Sequence, residues 1–153
     1  MHKYEATITW HRGEQDFSDN RYSRAHEWMF DGGACVTASS SPLSVPVPMS
    51  DPAGVDPEEA LVAATSSCHM LFFLSNAAKR GFIVDSYVDQ ASGVMEKGSD
   101  GKIAITRITL RPKIVFAGDR QPAANELDEM HHESHEKCFI ANSLKSEVVV
   151  EAA

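Results

Sequence analysis

Three cysteines in 153 residues are too few, and too odd in number, for the paired framework of a small secreted protein. The expectation is a reducing compartment, the cytoplasm by default, in which any disulfide is transient and chemical. Basic residues are scarce as well. Fourteen Lys and Arg against 22 Asp and Glu leave a formal net charge of −8, and no run of Lys or Arg gathers into a patch. Such a surface repels phosphate backbones, so nucleic acid is not an expected partner. The opening residues lack the continuous apolar core of a signal peptide and alternate like a strand. There is no internal repeat and no low-complexity segment.

What is present fits one globular domain over residues 1–153, with 42 % hydrophobic and 24 % charged residues. Tyr4 to Trp10 alternates apolar and polar side chains, the period of a strand with one buried face. His26 to Phe30 and Ala34 to Ser40 read as two more strands, joined by the hairpin signal Asp31, Gly32 and Gly33. Pro42, Pro46, Pro48 and Pro52 then force an extended connector.

The connector ends at Asp56, which has the marks of a helix N-cap, with Pro57 at the first helical position and Glu59 three residues after the cap. Gly81 is the expected stop. The helix between them would run about 24 residues, roughly 36 Å. From Ala60 to Ala78 it carries no Asp, Glu, Lys or Arg, close to a bilayer-spanning length. Thr65, Ser66, Ser67, Cys68, His69, Ser75 and Asn76 interrupt that run, so the expectation is the central helix of a soluble core rather than a membrane span. Its apolar residues point all round, which predicts burial on most sides, and packing against its own copy in a dimer is one way to reach it. Beyond Gly81, strands are expected over Val84 to Met95, Ile103 to Arg111 and Lys113 to Phe116. A helix over Pro122 to Lys137 and a last strand over Glu147 to Glu151 complete an α+β architecture.

Chemistry concentrates around two cysteines. Cys68 lies mid-helix, where a thiol is ordinarily an inert core residue; reactivity there needs a cation nearby, and Arg12, Arg21 and Arg24 in the polar stretch after the first strand are candidates. Cys138 ends the histidine-rich helix. His131, His135 and Cys138 share one helix face at spacings of four and three, which admits a zinc site, although the HExxH pattern is absent. The competing expectation is a solvated face whose histidines pair with Glu133 and Glu136. Cys35 reads as a packed core thiol, and His69 either tunes its neighbour Cys68 or hydrogen-bonds in the core.

Taken together, three features resemble the OsmC/Ohr family, the osmotically inducible and organic hydroperoxide resistance proteins. Residues 56–61, Asp-Pro-Glu-Glu-Ala-Leu, are similar to the family's Asn-Pro-Glu-Glu-Leu helix start; residues 66–69, Ser-Ser-Cys-His, are similar to its Ser-Ala-Cys-Phe element; and a second cysteine follows a helix near the C-terminus. The resemblance implies an OsmC-like fold of antiparallel sheets around a long central buried helix, in an intertwined homodimer with active sites at the subunit interface. It implies a thiol peroxidase for organic hydroperoxides that uses no cofactor, metal or haem. Cys68 would attack the peroxide, Cys138 would resolve the product as an intramolecular disulfide, and a dithiol reductant would reopen it. Arg24 would stabilise the thiolate and Glu58 would hold that arginine, although ten residues of helix set Glu58 about 15 Å from Cys68 along the axis. Two residue-level departures are Phe139 where relatives follow the cysteine with Pro, and His69 where an apolar residue is common. Phe72, Phe73, Met70 or Phe139 would line an apolar substrate pocket. A non-catalytic small-molecule binding protein of the same fold and the zinc site are the alternatives.

Overall fold

The computed structural model describes residues 1–151, which fall into two compact units, residues 1–60 and the chain from Leu61 onward. The first unit is an antiparallel meander of β1 (Ala6–Thr9), β2 (His26–Phe30) and β3 (Cys35–Ala38), in that order. Asp31 to Gly33 close the β2–β3 turn, where Gly33 takes a φ of 91° that a side chain would oppose. Cys35 is exposed, not packed in a core as its sequence neighbours suggested. It lies opposite Met29 beside the hairpin turn, and Met29 is itself exposed. The proline-rich connector returns to the sheet through Val55, which donates to the Thr37 carbonyl and accepts from the Ser39 N–H.

Helix α1 (Pro57–Lys79) begins on a reciprocal cap: the Glu59 N–H donates to Asp56 Oδ1 at 2.7 Å and the Asp56 N–H to Glu59 Oε1 at 2.9 Å. It ends at Gly81, whose φ of 80° lets Phe82 N–H bond back to the Ala77 carbonyl. Thr65, His69, Phe73, Asn76 and Ala77 form its buried stripe. The rest of the helix is open or half-open in the single chain, Leu71 at 61 %. The expected all-round burial is therefore absent within one chain. By length and composition α1 is apolar enough to cross a membrane. Its buried stripe, however, is half polar and bonded into the second unit.

In that unit the predicted strand over residues 84–95 is two strands, β4 (Ile83–Asp89) and β5 (Ser92–Lys97). The break has a visible cause. Asp89 turns its carboxylate to the Ser66 hydroxyl and the Arg111 N–H, and Arg111 also bonds Ser92 Oγ, so the chain leaves one sheet for another there. β4 pairs antiparallel with β7 (Pro112–Ala117), and β5 pairs antiparallel with β6 (Ile103–Leu110). Helix α2 (Ala124–Lys137) then carries the chain back to β8 (Glu147–Val150), which lies parallel to β6. That parallel pair stands beside otherwise antiparallel pairings, because a crossover through a helix reverses the direction a hairpin would impose. Phe73, Ala77, Phe82 and Met130 make the buried cluster, flanked by Val84, Tyr87, Ile114, Phe116 and Leu127.

Candidate functional site

Helices α1 and α2 meet along a line of unlike contacts that run antiparallel. At one end Arg80 binds Glu129 at 3.0 Å and Glu133 at 2.7 Å. Next, Asn76 Nδ2 donates to Ser134 Oγ at 3.1 Å, and that hydroxyl donates to the Met130 carbonyl at 2.6 Å. Further along, Phe73 packs on the His131 ring with centroids 4.5 Å apart. At the far end are the two thiols.

The structure brings Cys68 and Cys138 close enough for each to weigh on the other's ionisation, and they are not joined as a disulfide. Cys138 is the C-cap of α2 and fully buried; its Sγ accepts from the Ala141 N–H at 3.4 Å, in the short 3₁₀ turn Ala141–Ser143. Burial pushes the Cys138 thiol above its ordinary value and the Cys68 sulfur adds to the rise, while N–H donors at Ala141 and Ile140 work against it. Cys138 therefore rests protonated at neutral pH. Cys68 is half-buried and the more open of the pair. Phe72 and Phe139 stand edge to face beside them, 5.1 Å between centroids, with Phe139 70 % exposed.

Arg24 and Glu58 both belong to the first unit, and no ion pair joins them among the described residues. The Arg24 guanidinium bonds the Tyr22 carbonyl, and its Nη2 takes Asn20 O at 3.0 Å and Asn20 Oδ1 at 2.9 Å. Its charge lies 3.7 Å over the Tyr22 ring. Glu58 Oε2 is buried and has no hydrogen-bond partner, an oxygen prepared for a donor. Arg12 and Arg21 are exposed.

The histidines are arranged differently from either expectation. His69 Nε2 is 3.0 Å from His131 Nδ1, and the two rings lie nearly parallel at 11°. His69 is 1 % exposed, and burial first, then the charges of His131 and His135, lower its pKa to about 4. Burial lowers His131 too, against the opposing pull of Asp128 and Asp89. Glu133 pairs with Arg80, not with a histidine, and His131 bonds His69, so the solvated-face expectation fails for both. Nor do His131, His135 and Cys138 converge: among the described residues no group of three or more His, Cys, Asp or Glu side chains is arranged to hold a metal. The Nδ1 of His131 is committed to His69, and the Cys138 sulfur accepts from the Ala141 N–H. On the outer side of α2 a groove of about 740 Å³ is bounded by β7 and β8, with Ile114, Phe116 and Val149 on its apolar wall and His131, His132 and His135 on the other.

That His131 partners His69, and Ser134 partners Asn76, was not legible in the sequence. The available signal was the presence of polar residues every third or fourth place in a charge-free helix, each of which requires a bonded partner when buried.

The family model for OsmC-like proteins matches residues 50–153. The chain belongs to the OsmC-like protein family. Its structure superposes on that of an OsmC-like protein of unknown function from Vibrio cholerae with a TM-score of 0.98 and 54 % identity, over 100 % of both chains. It also shares its fold with the organic hydroperoxide resistance protein OhrB of Bacillus subtilis, at 16 % identity and a TM-score of 0.67 over 99 % of this chain and 98 % of that one. A third neighbour is an organic hydroperoxide resistance protein from Elizabethkingia anophelis, with 14 % identity and a TM-score of 0.70 over 99 % and 94 %. No curated protein matches this sequence. Within this OsmC-like fold the thiol pair sits where the end of α2 meets the middle of α1.

Proposed function

We propose that the protein is a thiol peroxidase that reduces organic hydroperoxides with Cys68 and Cys138. The observation that carries this reading is the contact between two free thiols seventy positions apart, one half-open and one fully buried. A structural thiol has no need of a second beside it, whereas a two-thiol peroxidase requires one. Membership of a family whose fold neighbours include hydroperoxide resistance proteins is consistent with it.

In the proposed cycle the Cys68 thiolate attacks the outer peroxide oxygen, the O–O bond breaks, and the alcohol leaves after taking a proton. Cys68 is then a sulfenic acid. Cys138 attacks that sulfur, forming the S–S bond and expelling the hydroxyl as water, and a dithiol reductant returns both thiols. Arg24 serves the Cys68 thiolate and the leaving oxygen, and Glu58, with its unpartnered buried oxygen, orients that guanidinium. This role requires Arg24 to exchange its Asn20 and Tyr22 partners for Glu58. Phe72 and Phe139 beside the thiols favour an apolar alkyl group.

We further infer a cytoplasmic homodimer. Ala63, Ala64, Ser67, Leu71, Ser75 and Ala78 form an open, small and apolar face along α1, and a second copy of the helix would cover it.

The deciding experiment is intact mass and peptide mapping after one equivalent of cumene hydroperoxide. The expected result is loss of two hydrogens, mapped to a Cys68–Cys138 bond. Oxidation that stays on Cys68 alone, or appears first on exposed Cys35, would refute the two-thiol cycle. Equal rates with cumene hydroperoxide and hydrogen peroxide would count against the apolar pocket.

A further inference from the structure

The groove on the outer side of α2 is a hollow that the thiol chemistry leaves idle. Its volume of about 740 Å³ lies within the roughly 300–1,000 Å³ typical of small-molecule sites. The two walls differ in kind because different periodicities build them. On β7 the inward places fall to Pro112, Ile114 and Phe116, while Lys113 and Val115 between them are exposed, as strand alternation requires. Val149 of β8 continues that apolar wall. On α2, positions 128, 131, 132 and 135 recur every third or fourth residue, so Asp128, His131, His132 and His135 all line the opposite side.

That polar side is not satisfied by the protein itself. Glu126, Glu129 and Glu133 of the same helix are taken up by Arg120 and Arg80. Among the described residues no hydrogen bond or ion pair engages the side chains of Asp128, His132 or His135, and the His135 Nδ1 is buried without a partner. His131 spends its Nδ1 on His69, so Nε2 is what it can offer the groove. Unpartnered polar atoms in a half-enclosed place cost free energy, and a hydrogen-bonding ligand recovers it.

Charge decides which ligand. The Asp128 carboxylate faces His131, where its charge opposes the lowering that burial causes. Burial still holds His131 below its ordinary value, so that ring brings no positive charge at neutral pH. With Lys113 exposed on the solvent side of β7, Asp128 is the fixed charge on the polar wall, beside imidazole nitrogens able to accept hydrogen bonds. The net charge of −8 over the whole chain adds a field that draws cations.

We propose that this groove binds a small organic cation, a primary amine on an apolar body, with its ammonium at Asp128 and the neighbouring imidazoles and its body against Ile114, Phe116 and Val149. A primary ammonium has three donors and no acceptor, which suits a carboxylate flanked by imidazole nitrogens. A carboxylate ligand would be repelled by Asp128, and an alcohol would forgo the ion pair. The proposal stands apart from the peroxidase reading, since no thiol takes part in it.

Phenethylamine is the probe, with phenylethanol and phenylacetate as its neutral and anionic counterparts. Binding to the full-length protein is followed by titration of backbone amide chemical shifts. The amine should give saturable shifts confined to α2, β7 and β8, and the two counterparts should bind about tenfold more weakly or worse, the scale of one charge-assisted hydrogen bond. Asp128→Asn keeps the shape of an exposed side chain and should weaken the amine by about tenfold. Glu136→Gln removes the same charge from α2 outside the groove and should leave the affinity as it was. Sedimentation with and without the amine should give one and the same mass. Phenylacetate or phenylethanol binding as well as the amine, or equal losses in the two variants, would overturn the assignment. So would absent shifts, shifts centred elsewhere, or a change of oligomeric state on adding the amine, which would mark the groove as a face for a second copy.

Discussion

Acidification should loosen this protein well before its carboxylates protonate, and the His69 environment sets how far. His69 is 1 % exposed, hydrogen-bonded only to another histidine, and held down at about 4 against 6.5 in an unfolded chain. A depressed histidine pKa means that the unfolded state binds the proton first. Stability is therefore full above about pH 7, falls as pH drops through 6.5, and stops falling from this cause below about 4. Between those limits the slope approaches about 1.4 kcal/mol per pH unit, so the loss from pH 7 to pH 4.5 is about 2.5 kcal/mol. His131, also lowered by burial, adds to the loss in the same direction. The assay is urea denaturation at fixed protein concentration across pH 4.5 to 7.5, comparing the parent with His69→Gln, which cannot titrate. The parent should lose stability across the window and His69→Gln should lose distinctly less, although it starts lower at pH 7.5. Parallel curves for the two proteins would refute the claim that His69 is kept neutral by burial.

Other outcomes follow from the packing. Phe73→Ala removes a fully buried ring that meets Tyr87, Phe116 and His131, and should cost about 3–5 kcal/mol by urea denaturation. Gly93→Ala places a Cβ 2.8 Å from Val62 Cγ2, so β5 or α1 must shift, and a loss of roughly 1–3 kcal/mol is expected. Arg80→Ala unties the partly exposed link to Glu129 and Glu133, and urea denaturation should show a small loss of stability that shrinks in high salt. If Arg24 serves the thiolate, Arg24→Lys should slow Cys68 oxidation by hydroperoxide by about tenfold or more, since a point charge lacks the guanidinium fork; an unchanged rate would remove Arg24 from the site.

The features that could be read from residue order are those with local causes. Asp56, Pro57 and Glu59 define the start of α1 because a helix's first N–H groups need acceptors within a few residues. Gly81 ends it because the backbone there must go left-handed. The β2–β3 hairpin follows from Asp31 to Gly33, and Cys68 and Cys138 stood out because each falls within or at the end of a predicted helix. The split between β4 and β5 was not legible. It depends on Asp89 meeting Ser66 and Arg111, each more than twenty positions away. The exposure of Cys35 was hidden too, since an apolar neighbourhood in sequence says nothing of which sheet face is covered.

By itself the sequence determined the helices, most strands, the acidic surface and the short roster of thiols and histidines from which a site could be made. Those rest on interactions between residues close in the chain. Only the tertiary structure decided that Cys68 meets Cys138, that His131 answers His69 rather than a metal or a glutamate, and that β8 runs parallel to β6. Each of these is a choice among distant partners, made when burial of one helix face obliges every polar group on it to find whatever the opposite element presents.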